Sequence, residues 1–124
     1  MDKEKAVTDY SKMSDFEINK AVAEHLYKDS PSLIVKRDVP SRPAVTVFCD
    51  IGNEEIVSIV CADYCNDPAD AWPIIAGNGI GASASKREPF AWDTSGGMLQ
   101  GIRHSDKNPL RAAMIVFLMM MKRG

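Results

Sequence analysis

Side chains capable of chemistry concentrate in the stretch CNDPADAWPIIAGNGIG, from Cys65 to Gly81. A thiol attacks only as the thiolate, which requires a neighbouring base or a positive helix end. Cys65 directly precedes a predicted helix start and is therefore the best placed nucleophile. The sequence places neither His25 nor His104 beside it, so we predict no catalytic residue and favour a short helix followed by a loop.

Zinc binding is the second chemistry to weigh, through Cys49, Cys61 and Cys65 with one of the two histidines. The spacing Cys61-x-x-x-Cys65 differs from a CxxC knuckle, and His25 lies beside the apolar stripe of a predicted helix. An odd number of cysteines without an export signal also argues against a disulfide framework. We predict buried free thiols packed on the strands, with no metal and no cofactor.

The run Gly77-Asn78-Gly79-Ile80-Gly81 superficially suggests a phosphate loop. A phosphate cradle needs a strand before the glycines and a helix after them, so that amides and helix dipole point at the anion. Here a helix precedes, and the following ASASKREPF is poor helix, which predicts a connector. Asp67 and Asp70 have the ordinary use of acidic residues at a helix start.

The candidate binding residues are Trp72, Trp92, Arg103 and Lys107. Single-strand nucleic-acid binders combine basic grooves with aromatic side chains on which bases stack. A formal charge of -2 supplies no overall attraction to a phosphate backbone, which favours a solvated rim and two core indoles instead. The basic side chains form three loose clusters, at Lys36-Arg37-Arg42, Lys86-Arg87 and Arg103-His104-Lys107-Arg111.

Length and composition are those of one soluble globular domain. The chain has 124 residues, 45% of them hydrophobic and 26% charged, and a chain of this size buries roughly two thirds of its unfolded surface. Residues 1–9 are polar and unpatterned, which predicts a flexible tail before a domain over residues 10–124. No apolar run reaches about 18 residues and no secretory signal is visible, so we expect a cytoplasmic protein without membrane contact.

Caps and periodicity predict an α+β fold. A small antiparallel sheet, the hairpin 44–50/55–62, packs with two main helices, 15–27 and 109–121, and a short helix near 68–76. Ser14 and Glu17 fit a capping box, Asp67 and Asn108 fit N-caps, and Pro73 either kinks the short helix or limits it to about two turns. Along the hairpin, alternation puts Val45, Val47 and Cys49 on one face of the first strand, and Val57, Ile59 and Cys61 on one face of the second.

Two segments carry weaker signals. Leu33 to Val35 is at most a short edge strand between prolines. Residues 80–107 show no sustained period, although Ile80–Ala82 and Phe90–Trp92 fit short strands. The helix 109–121 is apolar on all sides, so it is either the central helix of the core or buries a second face against another subunit.

Three phrases carry a resemblance: SDFEINKAVAEHL, DYCNDPADAWPII and NPLRAAMIVFLMM. In this order they resemble the NinX-like family of small proteins from lambdoid phages and enterobacterial prophages, over Tyr10 to Met121. The resemblance implies an accessory phage gene of the nin region that acts in the bacterial cytoplasm. It implies no activity and no site residues.

The expected function is therefore a non-enzymatic module that binds an unidentified host or phage protein, or a second copy of itself. The first alternative is nucleic-acid binding in phage recombination or replication. The second is an enzyme or small-ligand binder whose pocket is walled by Trp72, Trp92 and the loop from Gly77 to Gly81.

Overall fold

The computed structural model describes residues 9–29, 34–37, 39–52, 55–83, 87–94 and 102–123. Within these described ranges, three α-helices and two antiparallel three-stranded sheets confirm the α+β class. Residues 1–8 of the predicted tail lie outside this range. The elements are a 3₁₀ turn Tyr10–Lys12, α1 Asp15–Leu26, β1 Ile34–Arg37, β2 Val45–Gly52, β3 Glu55–Ala62, α2 Pro68–Gly77, β4 Ile80–Ser83, β5 Phe90–Asp93, β6 Arg103–Ser105 and α3 Pro109–Arg123.

Helix α1 begins with the predicted capping box. The Ser14 hydroxyl accepts from the Glu17 amide at 3.1 Å, and the Glu17 carboxylate accepts from the Ser14 amide at 2.8 Å. Two of the first orphan amides of the helix are thereby satisfied. Ile18 and Val22 are fully buried on the face that meets α3 and the first sheet. The prediction of a helix over 15–27 is confirmed to within one residue.

The first sheet has the order β1-β2-β3, with β1 at the predicted edge. The fully buried Val45 and Val47 pair with Ala62 and Val60, whereas Cys61 pairs with Thr46 and is exposed. The prediction of a packed Cys61 is therefore wrong. A register shift between Val47 and Phe48 is the reason, because it makes Ala62 and Val60, and not Cys61 and Ile59, the partners of Val45 and Val47. The burial of Cys49, Val57 and Ile59 lies outside the described residues.

The second sheet, of order β4-β5-β6, occupies the segment without periodicity. The short strands predicted at Ile80–Ala82 and Phe90–Trp92 are confirmed, while β6 was not predicted. Strands of three or four residues are too short to display an alternating pattern against chance. Gly81 pairs with Trp92, and a Cβ built on Gly81 lies 2.5 Å from two atoms of the indole ring. The absence of a side chain there lets the ring rest on β4.

Helix α2 follows the predicted start signals. The Asp67 carboxylate caps it by accepting from the Ala69 amide at 2.9 Å, and Pro68 occupies the first turn. Pro73 lies inside the helix, which nevertheless runs for 10 residues to Gly77. The left-handed backbone that turns the chain into β4 belongs to Gly79, with φ 63°, so Gly77 is the last helical residue and not the turning glycine.

Helix α3 is the central helix of the core. Every residue from Arg111 to Leu118 is buried, and the helix contacts α1, α2 and all three strands of the second sheet. Asn108 caps it as predicted, accepting from the Leu110 amide at 2.9 Å. The apolar circumference is thus covered within one chain, the first of the two predicted alternatives. The predicted helix 109–121 is confirmed, with two further residues at its end.

The first turn of α3 also carries a buried cation, Arg111, which is 7% exposed. Its Nε donates to Asp106 at 3.0 Å and one terminal nitrogen donates to Asp15 at 2.8 Å. The other terminal nitrogen donates to the carbonyls of Tyr10, Ser11 and Met13. One guanidinium therefore ties the 3₁₀ turn and the start of α1 to the turn before α3.

We expect Arg111→Leu to lower the free energy of unfolding by about 3 kcal/mol, the low end of the range for breaking a buried ion pair, because two carboxylates and three carbonyls lose their donor. The low end applies since the Asp15 side chain is 35% exposed and regains some hydration. Urea unfolding measures the change. The free energy of unfolding of Arg111→Lys should lie between those of the unaltered protein and of Arg111→Leu, because an ammonium keeps the charge but lacks the planar guanidinium fork.

Lys20→Gln is the control for Arg111→Leu. This substitution breaks the ion pair between Lys20 and Glu24, in which nitrogen and oxygen are 2.7 Å apart and the side chains are 43% and 49% exposed. Exposed ion pairs of this kind contribute less than about 0.5 kcal/mol. Equal losses for the two substitutions would show that Arg111 does not organise the fold.

The glycines offer a second test of packing. Gly81→Ala should lower the free energy of unfolding by about 1–3 kcal/mol, since the methyl displaces the Trp92 ring. Gly77→Ala is the matched control: no atom lies within 4 Å of the new methyl, and removing glycine from a helix should stabilise by about 0.4–1 kcal/mol. If urea unfolding showed that both substitutions change the free energy of unfolding in the same direction, this would contradict the packing of Trp92 on Gly81.

Candidate binding surfaces

The Cys65 thiol lies in a closed environment. The residue is fully buried, and its Sγ lies 3.8 Å from the carbonyl oxygen of Asp15. Burial raises the pKa of the thiol far above its ordinary value, and the Asp15 charge raises it further. The hydrogen-bond partners of Cys65 within the described residues include no histidine: the His25 ring packs on Phe117 in a T-shaped arrangement with centroids 5.5 Å apart, and His104 lies on β6. The arrangement does not generate a thiolate at neutral pH.

The polar residues around Cys65 bind one another and the backbone. Asn19, fully buried on α1, accepts from the Cys65 amide at 3.0 Å and donates to Asp63 at 2.9 Å. Asn108 donates to the Cys65 carbonyl at 2.6 Å and to the Asn66 side chain at 3.0 Å. These three asparagines form what we call the asparagine network, which joins α1, the β3–α2 connection and the start of α3.

The sequence signalled only part of the asparagine network. Asn108 is recognisable as a helix cap, but Asn19 and Asn66 were not predicted to matter. The available signal for Asn19 is its position next to Ile18 on the apolar stripe of α1, where a buried amide requires partners.

Within the described parts of the chain, no group of three histidine, cysteine, aspartate or glutamate side chains is arranged to hold a metal ion. The Nε2 atom of His104 is buried and finds no hydrogen-bond partner among the described residues. Burial lowers the pKa of His104, against a smaller opposite effect of Asp106, so the neutral imidazole is favoured. The glycines from Gly77 to Gly81 have α2 before them and β4 after them, the reverse of the order a phosphate cradle requires.

A cleft of about 430 Å³ opens at the start of α2. Asp63, Asp67 and Asp70 line it together with Arg42 and the exposed Cys61. Each carboxylate already accepts a hydrogen bond: Asp63 from Asn19, Asp67 from the Ala69 amide and Asp70 from the Asp63 amide at 2.9 Å. The predicted helix-start role of Asp67 is confirmed, and the cleft retains a concentration of negative charge.

An apolar groove of about 330 Å³ shares Ala62 and Asp70 with that cleft. Leu26 and Pro73 form part of its wall. Leu26 is 40% exposed and Trp72, adjacent to Pro73 on α2, is 64% exposed, and these two are the exposed large hydrophobic side chains of the described residues. The expectation of a core indole is therefore wrong for Trp72. We call Leu26, Ala69, Trp72 and Pro73 the Trp72 surface.

Two other predicted binding residues meet on the second sheet. Trp92 and Arg103 are cross-strand partners on β5 and β6. The Phe90 ring lies 5.1 Å from the Trp92 ring at 33°, and the Arg103 guanidinium lies 4.8 Å over the Phe90 ring. We call Phe90, Trp92 and Arg103 the aromatic face. Lys107 is exposed in the turn before α3, and Trp72 lies on a different element.

A comparison with protein families identifies the family of the chain. The family described as Bacteriophage P22, NinX matches residues 9–121. The chain belongs to this NinX family. Searches of curated proteins and of solved structures found no match. The resemblance read from three phrases is thus confirmed, and the helices among the described residues include none long and apolar enough to cross a membrane.

In this NinX family member, the three phrases coincide with the elements that the buried polar contacts join. The first phrase contains Asp15 and Asn19, the second contains Asp63 and Asn66, and the third begins at Asn108 and includes Arg111. The three phrases therefore contain residues that assemble the core.

The two described thiols should differ in reactivity. We expect iodoacetamide at pH 8 to label Cys61 more than about tenfold faster than Cys65, because Cys61 is exposed and burial raises the pKa of Cys65. Peptide mass spectrometry after timed quenching measures both rates. In urea at about 8 M, which unfolds the protein and exposes both thiols, the two labelling rates should converge. Equal native rates would reopen a thiolate role for Cys65.

Proposed function

We propose that the chain is a non-enzymatic phage accessory protein that binds another protein through the Trp72 surface, in the cytoplasm of the bacterial host. The observation that carries the proposal is the 64% exposure of Trp72 beside an apolar groove. The family supplies the phage origin. The binding role is our inference from the shape and chemistry of this surface.

The energetic argument starts from α2. Ala71, Ile74 and Ile75 bury one face of the helix, whereas Ala69, Trp72 and Pro73 are apolar and exposed on the other. Tryptophan is the residue type most enriched in the anchoring positions of protein interfaces, because its large ring buries much area at little entropic cost. An indole that does not contribute to the core therefore supports a role in binding.

The charge of the adjoining cleft narrows the chemistry of the partner. The apolar groove shares Asp70 with the cleft that Asp63 and Asp67 also line, and Arg42 is the cation among the described lining residues of that cleft. A partner segment that fits both parts carries an apolar side chain for the groove and a lysine or arginine beside it. Such charge complementarity steers the approach and sets the orientation of the bound segment.

The direct test replaces Trp72 by the photo-reactive amino acid p-benzoylphenylalanine. Irradiation of phage-infected cells that contain this protein should give discrete adducts, because the indole position would lie inside the interface. Mass spectrometry of the adducts identifies a host protein, a phage protein or a second copy of the chain. The cross-linked partner peptide should contain a basic residue near its apolar anchor.

The control places the same amino acid at Lys36, an exposed position on β1. An identical adduct pattern from positions 36 and 72, or no adduct from 72, would refute the proposal. Trp72→Ser in the purified protein should abolish binding of the identified partner and leave the free energy of unfolding within about 0.5 kcal/mol, since an exposed side chain contributes little to the fold. Retained binding would also contradict it.

A further inference from the structure

We infer a second binding site, for single-stranded nucleic acid, on the aromatic face of the sheet β4-β5-β6. This site lies on different elements from the Trp72 surface and does not depend on protein binding there. The ligand class follows from three features: two adjacent aromatic rings on one strand, a guanidinium beside them, and a glycine beneath one ring.

The two rings are spaced as a stacking platform. Phe90 and Trp92 are two positions apart on β5, so both half-buried rings project from the same side of the sheet, where their centroids lie 5.1 Å apart and form one continuous aromatic surface. That side faces away from α3, because the intervening Ala91 is fully buried. Neither ring belongs to the apolar core or to the side chains that pack against it. Aromatic residues on an open antiparallel sheet stack the bases of single strands in known recognition modules.

Gly81 orients the platform. The indole of Trp92 lies so close to Gly81 that a Cβ would overlap the fused ring edge at 2.5 Å. One side of the ring therefore rests on β4, and Trp92 remains only partly buried. A preorganised ring loses little freedom when a base stacks on it, which favours binding.

The aromatic face has few exposed charged side chains near it, which fits a ligand that places only a few phosphates there. The Arg103 guanidinium is exposed and lies over Phe90, where it can contact a phosphate adjoining a stacked base. Lys107 is exposed two residues beyond β6, and Glu88 is the exposed opposing charge before β5. A duplex is disfavoured because its base faces are already stacked on one another, whereas a single strand presents them freely.

The experiment uses Trp72→Phe, which leaves Trp92 as the sole indole, since the chain has two tryptophans. Titration with a dT oligonucleotide, a U oligonucleotide and a DNA duplex at low salt is followed by tryptophan fluorescence and by anisotropy of labelled oligonucleotide. We expect saturable quenching by the single strands and at least about fivefold weaker binding of the duplex, from the loss of base stacking.

Two substitutions localise the site in the Trp72→Phe background. Phe90→Leu should weaken single-strand binding at least about fivefold, because it removes the ring that supports Trp92 and holds the Arg103 guanidinium. Arg103→Gln should reduce the slope of log K against log salt by about 0.7, the value for one phosphate contact on a single strand. Lys36→Gln, an equal charge change on β1, should change neither quantity.

Several results would overturn the site: no quenching by either single strand, duplex binding as tight as single-strand binding, or Arg103→Gln indistinguishable from Lys36→Gln. Arg103 is exposed, so its substitution decides the question even if Phe90→Leu lowers stability. Because the Trp72→Phe background retains an unaltered aromatic face, failure here leaves the cross-linking result at position 72 unaffected.

Discussion

The structure depends on the neutralisation of one buried cation. Arg111 sits in the first turn of the helix around which the other elements pack, and a guanidinium removed from water is tolerated only if acidic and carbonyl groups surround it. Asp15 and Asp106 supply the charge, and the chain before α1 supplies carbonyls. The Arg111 guanidinium, with its five N–H donors, consequently fixes both the docking of the amino-terminal segment and the start of α3.

The asparagine network extends this constraint to the β3–α2 connection. Asn66 donates to Asp15, an Arg111 partner, at 3.1 Å, and to Asp63 at 3.1 Å. The polar side chains between Cys65 and Asp70 thus connect structural elements, and the Cys65 thiol is buried among them. A concentration of reactive residue types is therefore poor evidence of catalysis when each group already has a structural partner.

The sequence predicted those elements whose signals are local. A capping box or an N-cap followed by proline identifies a helix from a few neighbouring residues, which is why α1, α2 and α3 were placed correctly. The second sheet required pairings between distant three- and four-residue strands, and Cys61 was misplaced because no local signal reveals a register shift. Of the predicted binding residues, Trp92 and Arg103 meet through that same pairing, which no spacing along the chain discloses.

The two proposed surfaces lie on different elements, which both pack on the core helix α3. Helix α2 and the strands of the second sheet both contact α3, yet the Trp72 surface and the aromatic face use side chains that α3 does not bury. The buried side chains and polar contacts of α3 stabilise the fold, whereas Trp72 and Arg103 are exposed and do not form part of the core. Substitutions at the two surfaces should therefore change the free energy of unfolding additively, because side chains without common partners rarely couple.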